Sequence, residues 1–167
     1  MTSVRPTFFD HDFRAVMGHF CTGVAIVTGC NHGQAAGFVA QSVQSISLNP
    51  PLVSISPAGT STSWPTIRSS GYFALNFLTA EQRPLCHRFA QSSIDKFDGV
   101  GWSSSLCGSP ILDGVLGFVS CRIEVEHEAG DHTIVIGRVL DLGVSLPDAK
   151  PLLFFRGRYG SFLENSA

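Results

Sequence analysis

Apolar residues near the start of the chain recur at spacings of three and four, which is the period of an amphipathic helix. The positions are Phe9, Phe13, Val16, Met17 and Phe20, with Asp10 near the start. An acidic residue is common in the first turn of a helix. The pattern therefore predicts that a helix opens the fold.

Two further segments carry the signals of helix ends. Residues 63–70 have Pro65 in their first turn, which predicts a short helix. Thr79 and Gln82 match a T-x-x-Q capping box, in which each residue satisfies a backbone group of the other. A third helix is therefore predicted over residues 80–91.

Most of the remaining apolar segments are short and lie between turn residues, as strands do. The predicted strands are residues 24–29, 34–40, 52–56, 72–78, 115–127, 133–142, 152–155 and 159–162. Their short connections favour antiparallel pairing in a closed or nearly closed barrel. Residues 92–113 lack such a pattern and are predicted as a loop. The chain has no strand–helix alternation and no GxGxxG sequence, which disfavours a Rossmann domain.

Composition and charge narrow the class of protein. The 167 residues are expected to form a single domain, 1–167, with a substantial core. Only 14% of them are charged, against about 25% in typical domains, so we expect part of the surface to be buried in a homo-oligomer. A net charge of −2 gives no electrostatic reason to expect nucleic-acid binding. Without a signal-peptide pattern or an apolar run of ~20 residues, the chain is expected to be cytoplasmic, with no membrane partner.

Cysteine and histidine patterns offer no obvious catalytic or metal site. The five cysteines are odd in number and lack CxxC spacing, so a disulfide framework is not expected. The six histidines include no HxH or HExxH pair, and no metal site is predicted. Cys86 and His87 are adjacent on a predicted helix and point about 100° apart, which argues against a dyad.

The segment 37–64 is the most informative for function. It has five serines between Ser42 and Ser56, and no Lys or Arg occurs between Arg14 and Arg68. Hydroxyls and backbone N–H groups on rigid strands suit an anionic, planar ligand, and a helix that begins near residue 63 favours its phosphate. The alternative is a polar edge strand followed by a flexible loop. Apolar residues at alternate positions of the strand count against that alternative.

Two other places combine polar and aromatic side chains. His132 follows Asp131 in a turn between two predicted strands, where it either reaches a bound ligand or simply completes the turn. Arg88 precedes Phe89 near a helix end, and Lys96 precedes Phe97 soon after. Each cation is interpreted either as a partner of an aromatic, anionic ligand or as an exposed residue at the end of the helix.

Taken together, these residues make the chain resemble the short-chain flavin reductases, the small components of two-component flavin-dependent monooxygenases. The likeness extends to reductases that serve phenol- or steroid-ring hydroxylases and aromatic-polyketide oxygenases. It depends on the order and spacing of several segments along nearly the whole chain. These segments are FRAVMGHFCTGVAIVT (13–28), GFVAQSVQSISLNPPLVSIS (37–56), SGYFALNFL (70–78), RFA (88–90), DKF (95–97), GSPIL (108–112), GDHTIVIGRV (130–139) and PLLFFRGRYG (151–160).

The resemblance implies a mainly β fold with a few helices, an antiparallel split β-barrel that binds flavin and forms a homodimer. It implies flavin along the strand that ends near residue 42 and a phosphate in the segment 56–63. It also implies that His132 positions a nicotinamide ring. The cofactor-binding residues predicted in this way are Val39, Ala40, Gln41, Ser42, Ser47, Ser56, Pro57, Ser61, Ser63, Trp64, Arg88, Phe89 and His132.

The implied reaction is hydride transfer from NADH or NADPH to FMN or FAD, after which reduced flavin diffuses to a monooxygenase partner. The cofactors carry this chemistry, so no catalytic side chain is obligatory. Val43 stands where Phe is frequent in the family, and residues 58–62 lack the basic residue that relatives often carry. The sequence therefore predicts weak, exchangeable flavin binding and leaves FMN or FAD, and NADH or NADPH, open.

Two alternatives remain on the same barrel. A flavin- or haem-binding carrier or sensor would need the Ser-rich strand but no nicotinamide site. An oxidase of a phosphorylated vitamin is disfavoured because it would need more Arg and Lys near the site than this chain offers.

Overall fold

The computed structural model describes residues 7–92 and 94–163, so parts of the expected 1–167 domain, namely 1–6, 93 and 164–167, lie outside the described residues. Its helices are α1 (Asp10–Met17), α2 (Trp64–Ser70) and α3 (Arg83–Phe89). A 3-10 turn, Ala80–Gln82, leads directly into α3. No helix in the described part of the chain is both long and apolar enough to cross a bilayer.

Twelve strands account for most of the rest of the described residues. In chain order they are β1 (Thr22–Gly23), β2 (Ala25–Asn31), β3 (Gln34–Ala40), β4 (Gln44–Leu48), β5 (Pro51–Ile55), β6 (Tyr72–Phe77), β7 (Trp102–Ser104), β8 (Pro110–Leu112), β9 (Gly117–Ala129), β10 (His132–Val144), β11 (Leu152–Phe155) and β12 (Arg158–Ser161).

The main sheet has seven antiparallel strands in the order β3-β2-β6-β9-β10-β5-β4. A three-stranded sheet (β1-β11-β12) and the hairpin of β7 and β8 complete the β structure of the described chain. The antiparallel pairing predicted from the short connections is confirmed.

The two edges of the main sheet, β3 and β4, are consecutive in the chain but form no ladder within the described residues. They nevertheless come close together. Ser42 follows β3, and its Oγ accepts a hydrogen bond of 3.0 Å from the backbone N–H of Ser56, which follows β5. Ala40 and Val53 also belong to the same buried cluster. The sheet is therefore strongly curled, with an open split between its first and last strands.

Two clusters of buried side chains support this arrangement. One lies inside the curled sheet under α2, and includes Ile55, Ile67, Phe73, Leu75 and Val135. The other lies under α3, and includes Ile26, Leu78, Cys86, Phe89 and Val115. The second cluster connects α3 to the β2–β3 hairpin, and it thereby fixes α3 beside the edge strand β3.

The structure corrects several sequence-based boundaries. The opening helix was predicted as far as Phe20 but ends at Met17, and none of its residues is buried. The helix predicted over 80–91 begins as a 3-10 turn and ends at Phe89, although the capping bond between the N–H of Thr79 and Oε1 of Gln82 is present at 3.1 Å.

Strands were also missed. The predicted loop 92–113 contains β7 and β8, and β4 was not predicted because serine and glutamine weaken its apolar alternation. The hairpin of β7 and β8 is held by a buried side chain from elsewhere. Asn76 accepts the N–H of Leu112 at 2.8 Å and donates to the carbonyl of Ile26 at 3.1 Å. No local pattern in 102–112 reveals such a partner.

Candidate functional site

The outer side of β3 borders a groove that contains two cavities. β3 is an edge strand, so its outer backbone groups are not used by a neighbouring strand. The first cavity, here called the cradle, has a volume of about 500 Å³. It is lined by Phe38, Val39, Ala40, Gln41, Ser42, Ser56, Ala58, Thr60, Ser61, Thr62, Phe89, Ala90, Ser92, Lys96 and His132.

The second cavity, here called the side cleft, lies at the beginning of β3 and has a volume of about 640 Å³. It is lined by Gly33, Gln34, Ala35, Ala36, Gly37, Thr62, Ser63, Thr66, Ser92, Ile94, Asp95, Lys96, Phe97 and Trp102. Both volumes fall within the range of about 300–1,000 Å³ that is usual for small-molecule sites.

The cradle brings together eight of the thirteen residues that the sequence assigned to cofactor binding. They come from four separate parts of the chain: the end of β3, the segment after β5, the last residue of α3 and the first residue of β10. The eight are Val39, Ala40, Gln41, Ser42, Ser56, Ser61, Phe89 and His132. Their roles toward a cofactor stay predictions, but their convergence on one cavity is a property of the fold.

The other five predicted residues lie elsewhere. Ser47 belongs to β4, and the carbonyl of Pro57 accepts the N–H of Thr133 at 3.0 Å. Trp64 is buried in the main core, where its ring meets Phe38 edge-on.

The remaining two of the five border other cavities. Ser63 lines the side cleft, and Arg88 lines a third cavity on the far side of α3. Arg88 donates to the carbonyl of Asp95 at 3.1 Å and to that of Lys96 at 3.0 Å. It therefore holds the segment that carries Lys96.

The serines of the cradle are mostly fixed by the backbone. Besides the bond between Ser42 and Ser56, the Oγ of Ser61 accepts the N–H of Trp64 at 3.2 Å and so caps α2. Ser63, which lines the side cleft, donates to the carbonyl of Gly37 at 2.7 Å. A hydroxyl that is held by one backbone bond still offers its remaining capacity to a ligand.

Lys96 lies at the cradle although it is not among the thirteen cofactor-binding residues predicted from the sequence, where it was considered only as one possible partner of an anionic ligand. Its Nζ lies 2.9 Å from the carbonyl oxygen of Gly37 and 3.2 Å from Oγ of Ser63, and it lines both cavities. Burial lowers the pKa of Lys96 from its ordinary value because the charged form loses solvent. Residues 58–62 contain no basic residue, and the cation beside the cradle comes from a distant segment of the chain.

His132 is held at the opposite side of the cradle by its neighbour. Its Nδ1 lies 2.7 Å from Oδ1 of Asp131, and this hydrogen bond with His132 lowers the pKa of the Asp131 carboxyl. The turn is attached to the segment after β5, because the N–H of Gly59 donates to the carbonyl of Asp131 at 2.8 Å. With Nδ1 bonded to the carboxylate, Nε2 is the ring atom left for a ligand.

The donors of the cradle suit a planar ligand with an anionic tail. Hydroxyls and the amide of Gln41 can bond ring carbonyls and ring nitrogens, and Lys96 can pair with a phosphate. A general acid or base is not needed for hydride transfer between two cofactors. The residues present therefore fit a flavin, whose ring and phosphate need these two kinds of partner.

Comparison with known proteins decides which family this architecture represents. The flavin reductase like domain matches residues 17–163. The chain belongs to this family. The resemblance to flavin reductases predicted from the sequence is thus confirmed. Members of this family include proteins named as reductase subunits of flavin-dependent monooxygenases.

Three relatives illustrate the range of proteins that this chain is similar to. The flavin-dependent monooxygenase reductase subunit HsaB of Rhodococcus jostii is 46% identical over 88% of this chain and 75% of its own length. A flavin reductase of Pseudomonas putida is also 46% identical, over 90% and 88%. The FMN reductase (NADH) SmoA of Agrobacterium fabrum is 38% identical over 90% and 84%.

Solved structures support the split-barrel fold. Nitrilotriacetate monooxygenase component B of Mycobacterium thermoresistibile superimposes with a TM-score of 0.89 and 41% identity, over 94% of this chain and 89% of that chain. An NADH:FAD oxidoreductase of Streptomyces globisporus, solved in complex with NAD and FAD fragments, gives 0.88 and 33%, over 95% and 96%. The mainly β fold class is confirmed.

Proposed function

We propose that this protein is an NAD(P)H:flavin oxidoreductase of the 1.5.1 class that reduces FMN or FAD and releases the product to a flavin-dependent monooxygenase. The observation that carries the proposal is the convergence of eight flavin-assigned residues on the cradle, at the split between β3 and β4. Relatives named as reductases of such monooxygenases support it. The relatives do not favour the alternative, a carrier or sensor without turnover.

Each wall of the cradle has a separate task in this proposal. When bound, the flavin supplies the hydride-accepting chemistry. Gln41 and Ser42 lie where β3 ends and offer hydrogen bonds to its ring. Lys96 and Ser61 border the other part of the cavity and suit its phosphate. The protein contributes mainly by holding two rings in contact, which replaces a bimolecular encounter by a positioned one.

His132 and Asp131 would orient the hydride donor. Because Asp131 accepts from Nδ1, the imidazole presents Nε2 to the cradle in a fixed ring orientation. Nε2 can bond the carboxamide of a nicotinamide, and the donor would then stack on the flavin. His132 is thus a binding residue, and its loss should raise KM for NADH more than it lowers flavin affinity.

We also propose that the protein is a homodimer with a single flavin reductase domain, in keeping with the oligomer expected from its low charge. The apolar face of α1 supports this, since Phe9, Phe13 and Val16 are all exposed in the single chain. A face of this kind is usually covered by another subunit. The cytoplasmic location expected from the sequence stays a prediction.

The direct test is NADH or NADPH oxidation followed at 340 nm with FMN and with FAD. Purified protein should accelerate oxidation well above the background of free flavin. The His132→Ala variant should raise KM for the nicotinamide while retaining flavin binding. No acceleration with any donor–flavin pair would rule out the reductase, and flavin binding without turnover would favour the carrier. An unchanged KM in His132→Ala would reject the role of that residue.

The proposed contact of Lys96 with the flavin phosphate predicts a pH dependence of FMN binding. The ammonium is charged below its lowered pKa, so FMN affinity should fall as the pH rises through that pKa, which is below the usual ~10.4 of lysine. Riboflavin has the same ring without the phosphate and corrects for ionisation of the ring. Lys96→Gln should weaken FMN by about 1.5–3 kcal/mol at pH 7.5 and leave riboflavin unchanged. Equal losses for both ligands would mean that Lys96 does not contact the phosphate.

A further inference from the structure

We propose that Arg88 is a positioning residue, which places Lys96 at the cradle and does not itself contact the flavin. The proposal rests on the proposed function, because it assumes that Lys96 binds the flavin phosphate. It replaces the direct cofactor contact that the resemblance implied for Arg88. Polar bonds on one side of α3 would then control the affinity for a ligand on its other side.

Arg88 and Phe89 face different sides of α3, because consecutive residues of a helix point about 100° apart. Phe89 is 1% exposed and lines the cradle, and its ring would come within 2.7 Å of a Cβ added at Gly37. Arg88 is absent from the lining of the cradle and of the side cleft, and borders the third cavity instead. Its side chain is therefore turned away from the place where a flavin would bind.

The guanidinium of Arg88 binds two consecutive backbone carbonyls. Its Nε donates to the carbonyl oxygen of Lys96 at 3.0 Å, and its Nη2 donates to that of Asp95 at 3.1 Å. The rigid, planar fork of an arginine holds two acceptors at once, which a lysine ammonium does not reproduce. The backbone before and after the Cα of Lys96 is thereby fixed relative to α3.

The segment that carries Lys96 needs such a support, because residues 94–100 form no helix or strand. Its N–H of Phe97 donates to Oδ1 of Asp95 at 3.0 Å, a bond that shapes the segment without attaching it to α3. The ring of Phe97 meets that of Phe89 edge-on at 5.1 Å between centroids. Hydrogen bonds are more directional than such packing, so the bonds from Arg88 set the orientation of the backbone.

A fixed backbone at residue 96 limits where the ammonium of this lysine can go. Nζ of Lys96 lies 2.9 Å from the carbonyl oxygen of Gly37 and 3.2 Å from Oγ of Ser63, at the end of a flexible side chain. Ordering a lysine costs rotamer entropy, and preorganisation of its backbone reduces the cost that is left to ligand binding. Without the bonds from Arg88, the ammonium would spend part of its time away from the cradle.

The role depends on the two carbonyl bonds rather than on the charge of Arg88. Oδ2 of Asp98 lies 3.8 Å from Nη2 of Arg88, but the Asp98 side chain is 83% exposed. Ion pairs with such exposure contribute little. A positioning role therefore makes a different prediction from direct attraction of the phosphate by a second cation, because only the second role would survive replacement by lysine.

The test compares FMN and riboflavin binding by calorimetry. Arg88→Met should weaken FMN by roughly 3- to 30-fold and leave riboflavin unchanged. Arg88→Lys keeps the charge but not the fork, and should weaken FMN as well. Asp98→Asn keeps both carbonyl bonds and should bind FMN as the wild type does. Arg68→Met is the matched control, because it removes the same charge from an arginine that is exposed and pairs with Glu126.

The coupling between Arg88 and Lys96 is the readout that a merely structural role would not give. In a Lys96→Gln background, Arg88→Met should cause no further loss of FMN affinity, since the contact that Arg88 positions is already absent. In steady-state assays, Arg88→Met should raise KM for FMN and leave kcat and the KM for the nicotinamide unchanged. Circular dichroism and riboflavin affinity check that each variant is folded.

Four results would overturn the positioning role. They are unchanged FMN affinity in Arg88→Met, full FMN affinity in Arg88→Lys, equal losses of FMN and riboflavin in Arg88→Met, and additive losses in the double variant with Lys96→Gln. Additive losses would mean that Arg88 acts on the ligand independently of Lys96. Failure of the proposed function is a separate result, since it appears as the absence of flavin reduction by the wild-type protein.

Discussion

Helices α1 and α3 carry apolar residues at the same spacing, yet only one of them is packed. Phe89 of α3 is 1% exposed and Cys86 is fully buried, whereas Phe9, at the start of α1, is 73% exposed and no residue of α1 is buried. Periodicity shows that a helix has a face requiring a partner, but it does not show whether the same chain provides that partner. The packed helix supports the groove, and the unpacked one is available to a second subunit.

The packing of α3 reaches the site through one contact. Phe89 lies against β3 at Gly37, the residue whose carbonyl oxygen accepts Lys96. A change on the buried face of α3 should therefore affect both folding and the groove. A change on the apolar face of α1 should affect assembly and leave the fold of the single chain intact.

The largest effect is expected from Phe89→Ala. Removal of a buried phenylalanine leaves a cavity and costs about 3–5 kcal/mol of unfolding free energy. Urea denaturation of this variant and of Leu106→Ala, whose side chain is 84% exposed, measures the difference. The Leu106 variant should stay within about 0.5 kcal/mol of the wild type. Equal losses in the two variants would show that α3 is not packed as described.

The next effect is expected on assembly. Phe13→Glu places a charge on the apolar face of α1 and should weaken the proposed dimer by about 2 kcal/mol or more, as truncation of an aromatic interface anchor does. Light scattering across a dilution series measures the dissociation, and circular dichroism checks the fold. Leu106→Glu adds the same charge at another exposed apolar position and should leave the oligomer unchanged. A dimer that resists Phe13→Glu would remove α1 from the interface.

A smaller effect is expected where α3 touches the site. In Gly37→Ala the new Cβ would lie 2.7 Å from the Phe89 ring and 3.1 Å from the carbonyl oxygen of Val27, so one of them must shift. Overpacking of this kind costs about 1–3 kcal/mol, and flavin affinity should fall with it because the carbonyl of Gly37 moves. Gly23→Ala is the control, since nothing lies within 4 Å of its added Cβ. Unchanged stability in Gly37→Ala would contradict the close packing.

The smallest effects concern the starts of the two helical segments. The N–H of Thr79 is accepted by Gln82 at 3.1 Å, and the N–H of Phe9 is accepted by Asp12 at 3.0 Å. Gln82 also donates to the carbonyl of Asp113 at 2.8 Å, so Gln82→Ala should cost about 1 kcal/mol. Asp12→Ala should lower the free energy of unfolding of the single chain by only a few tenths of a kcal/mol, because α1 is not packed there. Thermal unfolding compares the two, and a greater loss from Asp12→Ala would reverse this ranking.

Local signals predicted the fold better than the site. The main strands were found because their alternation is contiguous in the chain, and the capping box at Thr79 needs only four residues. The segments Val39 to Ser42 and Ser56 to Ser61 were predicted to bind flavin from the resemblance, which depends on contiguous motifs. The structure brings residues of both segments to the cradle, and their roles toward flavin stay predictions. Lys96 was considered as a partner of an anionic ligand but was not assigned to the cradle. Its position depends on hydrogen bonds that Arg88 donates to the carbonyls of Asp95 and Lys96, in a segment with no regular pattern.

The exposed edge of β3 has a consequence for the aggregation of this protein. A free strand edge can serve as a template for another chain and so promotes aggregation. Lys96 and Ser63 both bond the carbonyl of Gly37, which removes one acceptor from that edge and places a charge beside it. Charged side chains at an edge are a common protection against intermolecular strand pairing. The lysine that we propose for phosphate binding therefore also opposes intermolecular pairing at the edge of β3 when no flavin is bound.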